Sequence, residues 1–199
     1  MERKKAVRQL KQIQKLIIGK KMRLAAQWPV KWKSLIATIM ASQTRDEVTI
    51  PAAERLFSKY PSMKALSKAP VRDVERLISS VNFYRNKAKH VVETAKILAG
   101  RRIPKTTEEL IKLPGVGRKV ANVYLADAEK MDELGVDTHV ARISYKLGWT
   151  KNKNPDKVEA DLRKLFPRKY WGKINEILVI FGKSIGLSRR REDAVLDTL

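Results

Sequence analysis

No cysteine occurs in the 199-residue chain, which excludes disulfides, zinc ribbons and cysteine-ligated iron–sulfur clusters and leaves the redox compartment unreadable. Histidine is nearly as scarce: His90 and His139 are the two present, too few for a histidine-rich metal site. No apolar run approaches the ~20 residues of a membrane span. The basic segment from Met1 to Lys21 lacks the longer apolar region and small-residue cleavage site of a signal peptide. These absences predict a soluble intracellular protein, cytoplasmic or nucleoid-associated, that uses no membrane. Acid is short as well, since 21 Asp and Glu face 43 Lys and Arg for a formal net charge of +22. A thermophile-like, charge-rich surface raises both signs together. An excess of one sign spread along the chain instead makes a positive field that recruits polyanions, so nucleic acid is the expected partner.

What is present is enough for a core: 43% of the residues are hydrophobic, sufficient for one domain or two small lobes at this length. Apolar residues recur at helical spacing and no stretch of β-branched alternation appears, so the chain reads as all-α. The pattern predicts helices over about Lys4–Ile18, Lys31–Ser42, Ser62–Ala69, Val71–Ser79, Asn86–Leu98, Pro155–Phe166 and Trp171–Phe181. Pro51 reads as a first-turn proline of a helix running through Phe57. Thr106-Thr107-Glu108-Glu109 has the capping-box pattern and opens a short helix with Leu110 and Ile111. A further helix is expected from Arg118 to about Lys130. Another should be capped by Asp137 and stopped by Gly148. Ser188 to Arg191 reads as a basic tail.

The segment most informative about chemistry is Leu113-Pro114-Gly115-Val116-Gly117-Arg118-Lys119, followed by Val136-Asp137-Thr138-His139. Between two helices the first stretch reads as a glycine hairpin, whose backbone N–H groups and following helix start can grip a phosphate. Such a contact positions without specifying sequence. An ordinary αα-turn is the plainer reading, because Pro-Gly pairs end helices widely. Lys119 is where binding could become catalysis. An ammonium cannot attack carbon, so a nucleophilic lysine needs desolvation, neighbouring positive charge or a helix N-terminus, and a place beside Arg118 in a first turn offers two of these. A phosphate-binding lysine is the simpler alternative. Asp137 is explained by helix capping alone, yet a carboxylate held by helix N–H groups is also oriented to stabilise positive charge or to exchange a proton with an amine. His139 is read as a structural or DNA-contacting residue.

Leu113 to Asn122 together with Val136-Asp137-Thr138-His139 resembles the endonuclease III family of helix-hairpin-helix DNA glycosylases. The likeness extends upstream to Ile39-Met40-Ala41-Ser42-Gln43-Thr44-Arg45-Asp46 and Asn82-Phe83-Tyr84-Arg85-Asn86-Lys87-Ala88, so it spans about Lys31 to Phe181. The resemblance implies that Lys119 is the amine nucleophile and Asp137 its carboxylate partner. It further implies that Gln43 fills the space left by an extruded base, that Phe83 wedges the stack, and that Gly115 and Gly117 hold the backbone phosphate; Val116, Arg118 and His139 are read beside them as DNA-binding residues. Gln43 could otherwise end a core helix and Phe83 be a buried aromatic.

Two departures qualify the likeness. The family usually ends in a four-cysteine iron–sulfur loop, and here Gly186 stands at the first ligand position, so no such cluster and no cofactor is expected. Arg189, Arg190 and Arg191 are candidates to replace its contacts with DNA, a solvated tail being the alternative. The aromatic Phe83 at the wedge also leaves the damage preference open. The implied fold is two helical lobes, 26–130 carrying the helix-hairpin-helix, and 1–25 with 131–199 forming the second, with the active site in the cleft between them. The implied activity is that of a monomeric base excision repair enzyme, a DNA glycosylase and abasic-site lyase acting on oxidised or saturated pyrimidines in damaged double-stranded DNA. An 8-oxoguanine or mismatch glycosylase, or a noncatalytic helix-hairpin-helix module, are the alternatives.

Overall fold

The computed structural model describes residues 1–20, 22–185 and 188–199, and of Arg189 the backbone alone. The described residues hold helices and no strand: α1 (Arg3–Leu16), α2 (Lys31–Ala41), α3 (Asp46–Lys59), α4 (Met63–Ser67), α5 (Val71–Leu77), α6 (Tyr84–Leu98), α7 (Thr107–Leu110), α8 (Arg118–Asp127), α9 (Thr138–Lys146), α10 (Pro155–Leu165), a 3-10 turn (Arg168–Tyr170), α11 (Trp171–Ser184) and α12 (Arg189–Leu196). They form two compact units, Arg23–Glu129 and the pair of segments Met1–Met22 and Lys130–Leu199.

The Arg23–Glu129 unit is built around α2. After Lys33 this helix carries no charge, and every residue from Ser34 to Met40 is buried, because α3, α6 and α8 all pack on it. Leu35, Ile36, Ile39 and Met40 each contribute about 1.5–3 kcal/mol by leaving water. The buried hydroxyls are satisfied: Ser34 Oγ joins Trp28 N and Trp28 O, and Thr38 donates to Ser34 O at 2.7 Å. Phe57 of α3 stands edge-on to Trp28 and Trp32, with centroids 4.9 and 5.1 Å away.

Pro51 departs from expectation. It lies inside α3, which starts at Asp46, so the helix gains a turn upstream of the proline. That turn is held by Arg45 O, which accepts from Val48 N, Thr49 N and Thr49 Oγ1 at 3.0–3.1 Å, and Asp46 Oδ1 accepts from Ala25 N at 3.1 Å. These bonds come from outside the periodic pattern, which is why the pattern alone placed the start too late. Thr106 caps α7, its Oγ1 accepting from Glu109 N at 3.3 Å and donating to Glu109 Oε2 at 2.8 Å.

In the second unit, α11 packs on α1 and α9, and α10 on α9. Leu10, Ile13, Val140, Phe166, Leu178 and Phe181 are among its buried residues. Trp149 sits edge-on to Phe166 at 4.8 Å and donates its indole N–H to Gln9 Oε1 at 2.8 Å, so α1 is fixed by a buried hydrogen bond as well as by apolar packing. Asn175 of α11 donates to Gly135 O at 2.9 Å and so ties down the segment leading into Asp137. The basic stretch read as a tail is the start of α12, capped by Ser188, whose Oγ accepts from Arg191 N.

Candidate active site

The glycine hairpin is tightened from both sides. Gly115 has φ +75, and a β-carbon there would lie 2.9 Å from His90 Cβ and 3.0 Å from Ile39 Cγ2, so both the conformation and the close approach demand glycine. Thr94 of α6 donates to Pro114 O at 2.9 Å. Val116 is buried and its N–H closes the turn onto Leu113 O at 3.1 Å, so it shapes the hairpin from within. Gly117 has an ordinary φ of −88, and nothing lies within 4 Å of a β-carbon placed on it. Open space, rather than backbone freedom, is what glycine supplies there. Gly117 also caps α8 with no side chain over the first-turn N–H groups, which leaves the helix start to attract an anion. Lys119 follows as the second residue of α8 and is half-buried, while Arg118 is exposed. Behind them Asn122 is fully buried and accepts from Thr107 Oγ1 at 2.8 Å, fixing α8 against α7.

Asp137 belongs to the other unit. Its Oδ1 accepts from Val140 N at 2.8 Å, so it caps α9 as the sequence indicated, and the remaining carboxylate oxygen carries no part of that cap. His139 is half-buried in the first turn of α9. Arg142 Nη2 lies 3.3 Å from His139 Nδ1. A guanidinium can only donate, so Nδ1 is the acceptor and the ring proton resides on Nε2. Burial, with help from Arg142 and Lys183, holds the imidazole below its ordinary pKa against the opposing pull of Asp137 and Glu192. Arg142 is in turn clasped by Glu192, which is 1% exposed and accepts from Arg142 Nε at 2.9 Å and Nη2 at 2.6 Å and from Lys146 Nζ at 3.2 Å. Sequence reasoning missed Glu192 by taking its surroundings for a solvated tail.

Gln43 and Phe83 are brought together. Both are exposed and both adopt left-handed backbones, with φ +54 and +57. That conformation costs a residue with a side chain roughly 1–2 kcal/mol, and such strain persists where surrounding bonds hold it. Asn82 supplies two of these bonds: its Nδ2 donates to Gln43 O at 2.6 Å and its N–H to Thr44 Oγ1 at 3.2 Å. Lys87, also unrecognised in the sequence, supplies more. Its buried ammonium donates to Met40 O at 2.7 Å, to Ser42 O and to Thr44 Oγ1 at 3.1 Å. Burial, and then the charge of Lys119, lower its pKa to about 8. Phe83 is 63% exposed, so the alternative of a buried aromatic does not hold.

At the C-terminal end Arg190 and Arg191 are exposed on α12, whereas Gly186 and the side chain of Arg189 lie outside the described residues. A four-cysteine cluster finds no ligands in this cysteine-free chain, and among the described residues no group of three or more His, Asp or Glu is arranged to hold a metal ion. No helix among the described residues is long and apolar enough to cross a membrane.

A family model described as HhH-GPD superfamily base excision DNA repair protein matches residues 36–168. The chain belongs to this superfamily. Among HhH-GPD relatives, endonuclease III of Thermotoga maritima is 45% identical over 157 residues, covering 77% of this chain and 74% of that one. Endonuclease III of Synechocystis sp. is 37% identical over 182 residues, covering 89% and 82%. A solved structure of a trapped endonuclease III–DNA covalent intermediate in an estranged-adenine complex superposes with a TM-score of 0.86 at 28% identity, covering 95% of this chain and 90% of that one. The matched region of the HhH-GPD model contains Gln43, Phe83, the glycine hairpin, Lys119 and Asp137.

Proposed function

We propose that this HhH-GPD protein is a bifunctional DNA glycosylase and abasic-site lyase that removes oxidised or saturated pyrimidines from duplex DNA, with Lys119 as nucleophile and Asp137 as the carboxylate of the reaction. Membership of a base excision repair superfamily, with endonuclease III relatives, supports the activity class. The observation that carries the residue assignment is a lysine in the first turn of a helix whose start is left open by Gly117. Phosphate held at that start fixes the strand, and a lysine one residue further on is a reactive group already anchored to the same rigid element.

The steps follow from amine chemistry. The Lys119 Nζ lone pair bonds to the sugar C1′ while the glycosidic bond breaks and the base leaves with its electron pair. The Asp137 carboxylate stabilises the positive charge that develops on the deoxyribose. As one proton passes from the bound nitrogen to O4′, the C1′–O4′ bond breaks, which opens the ring to a hydroxyl and leaves a protonated imine on Lys119. The imine acidifies C2′. Loss of a C2′ proton forms the C2′=C3′ bond and expels the 3′ phosphate, cutting the strand, and hydrolysis of the imine restores the amine. Gln43 and Phe83 fill and wedge the stack during extrusion of the base, which an enzyme acting inside a duplex must accomplish before chemistry. Gly115, Gly117 and Arg118 hold backbone phosphate, with Val116 packing the hairpin from inside. His139, Arg189, Arg190 and Arg191 add DNA contacts. The enzyme acts as a monomer at the nucleoid and without a cofactor.

A panel of end-labelled duplexes containing thymine glycol, dihydrothymine, 8-oxoguanine, a T·G mismatch or an abasic site tests this reading. Cleavage of the two pyrimidine lesions and of the abasic strand, with the β-elimination product, is expected. Binding without cleavage of any duplex would make the chain a noncatalytic module.

A further inference from the structure

Lys87 holds a place that its residue type makes expensive. A buried ammonium is normally matched to a carboxylate, because an unpaired charge is costly to desolvate. Here its three donors meet three neutral acceptors, Met40 O, Ser42 O and Thr44 Oγ1. Two of these are carbonyls at the C-terminal end of α2, where the helix dipole is negative. A neutral donor could satisfy one or two of them; a lysine satisfies all three and reaches them from another helix.

The other end of the same residue closes the connection. Lys87 lies in the first turn of α6, and its own N–H donates to Phe83 O at 3.0 Å. One residue therefore grips two carbonyls ahead of Gln43 and the Thr44 hydroxyl after it through its side chain, and the carbonyl of Phe83 through its backbone. Thr44 Oγ1 accepts from both Lys87 and Asn82, and Asn82 donates to Gln43 O, so the links form a ring joining the end of α2 to the start of α6. The two non-glycine residues of this unit with left-handed backbones, Gln43 and Phe83, are both exposed and both sit on that ring.

We propose that Lys87 is a positioning residue for base extrusion, holding Gln43 and Phe83 side by side in their strained backbone conformations so that one fills the stack while the other wedges it. The inference rests on the glycosylase reading above. It adds a residue that touches neither DNA nor the reacting atoms and acts through the two that enter the duplex. The lowered pKa of Lys87 accords with its burial, and its three bonds keep the amine from competing with Lys119 as a nucleophile.

The test separates extrusion from chemistry. Lys87→Met keeps the length and apolar stem and removes the donors; Thr44→Val cuts the ring at its shared acceptor without changing any charge. Single-turnover excision of thymine glycol from a fully paired duplex is compared with borohydride trapping at a preformed abasic site, where less unstacking is required. For either variant, excision from the paired duplex is expected to fall on the order of tenfold or more while trapping stays within a few-fold of the parent protein. A 2-aminopurine beside the lesion should brighten more slowly in the variants. Should Lys87→Met fail to fold, Thr44→Val alone decides. Equal losses on both substrates, or an unchanged rate of brightening, would overturn the proposal while leaving the glycosylase reading intact. Absence of excision and trapping in the parent protein would overturn both.

Discussion

Gly182 of α11 faces His139 of α9 so closely that a β-carbon on Gly182 would lie 2.3 Å from His139 Nδ1. The two helices pack in register only because residue 182 has no side chain, and the ring it accommodates is the one that Arg142 orients. Gly182→Ala must push the imidazole aside or part the helices, an overpacking cost of about 1–3 kcal/mol. At roughly 2–4 °C per kcal/mol for a chain of this size, thermal unfolding should register it. Combining Gly182→Ala with His139→Ala should recover much of the loss, since the pair shares one clash. Additive losses in the double variant would show that the clash lies elsewhere.

One substitution separates the cap that Asp137 forms on α9 from the catalytic charge proposed for it. Asparagine caps helices as well as aspartate does, so Asp137→Asn should melt close to the parent while base excision falls by orders of magnitude with the anion gone. Asp137→Ala should lose about 1 kcal/mol of stability in addition. Comparable decline of stability and activity in Asp137→Asn would reduce this residue to a cap.

Features decided within one turn of chain were legible from the residues alone. The Thr106 and Asp137 caps join near neighbours. The uncharged run from Ser34 to Met40 announced a core helix in the same way. Lys87 was missed because its partner Met40 is 47 positions away, and Glu192 because Arg142 is 50 away; each reads as a solvated surface charge until the fold brings the acceptors or donors to it. Gly115 was read correctly as a turn glycine, but the His90 and Ile39 side chains that forbid a β-carbon there come from other helices. Local chemistry shows in local sequence, while long-range desolvated contacts do not.

Glu192 sets an acid limit on α12. Burial raises the carboxyl pKa, but hydrogen bonds from Arg142 and Lys146 outweigh it and hold the value below the ordinary one. A depressed folded value means the stabilisation is complete above the unfolded value, about 4.3, and is lost as pH falls through it toward the folded one. Glu192→Gln should cost about 1–3 kcal/mol at pH 7, short of the full penalty for a buried pair because Arg142 and Lys146 keep some access to water. The gap in melting temperature between parent and variant should narrow as pH falls below the unfolded value and close only once pH passes the lower, folded one. A gap independent of pH would deny Glu192 its charge-based role.

The strain at Gln43 and Phe83 makes stability and activity separable in an unusual direction. Glycine adopts φ near +55 without penalty but loses more chain entropy on folding, so relief of roughly 1–2 kcal/mol is offset by about 0.5–1 kcal/mol. Gln43→Gly and Phe83→Gly should thus match or slightly exceed the parent in thermal stability. Both should still lose excision of a lesion in a paired duplex far more than trapping at a preformed abasic site. Marked destabilisation of either variant would mean that its side chain packs into the fold rather than serving the DNA.

The covalent bond proposed between Lys119 and DNA can be observed directly. Borohydride reduction during incubation with an abasic duplex, followed by peptide mapping of the adduct by mass spectrometry, reads this directly. A single adduct on the peptide containing Lys119 is expected, abolished in Lys119→Ala, with that variant retaining substantial affinity for the duplex because backbone N–H groups still hold phosphate. An undiminished adduct in Lys119→Ala, or one mapping to Lys87 or any other amine, would contradict it.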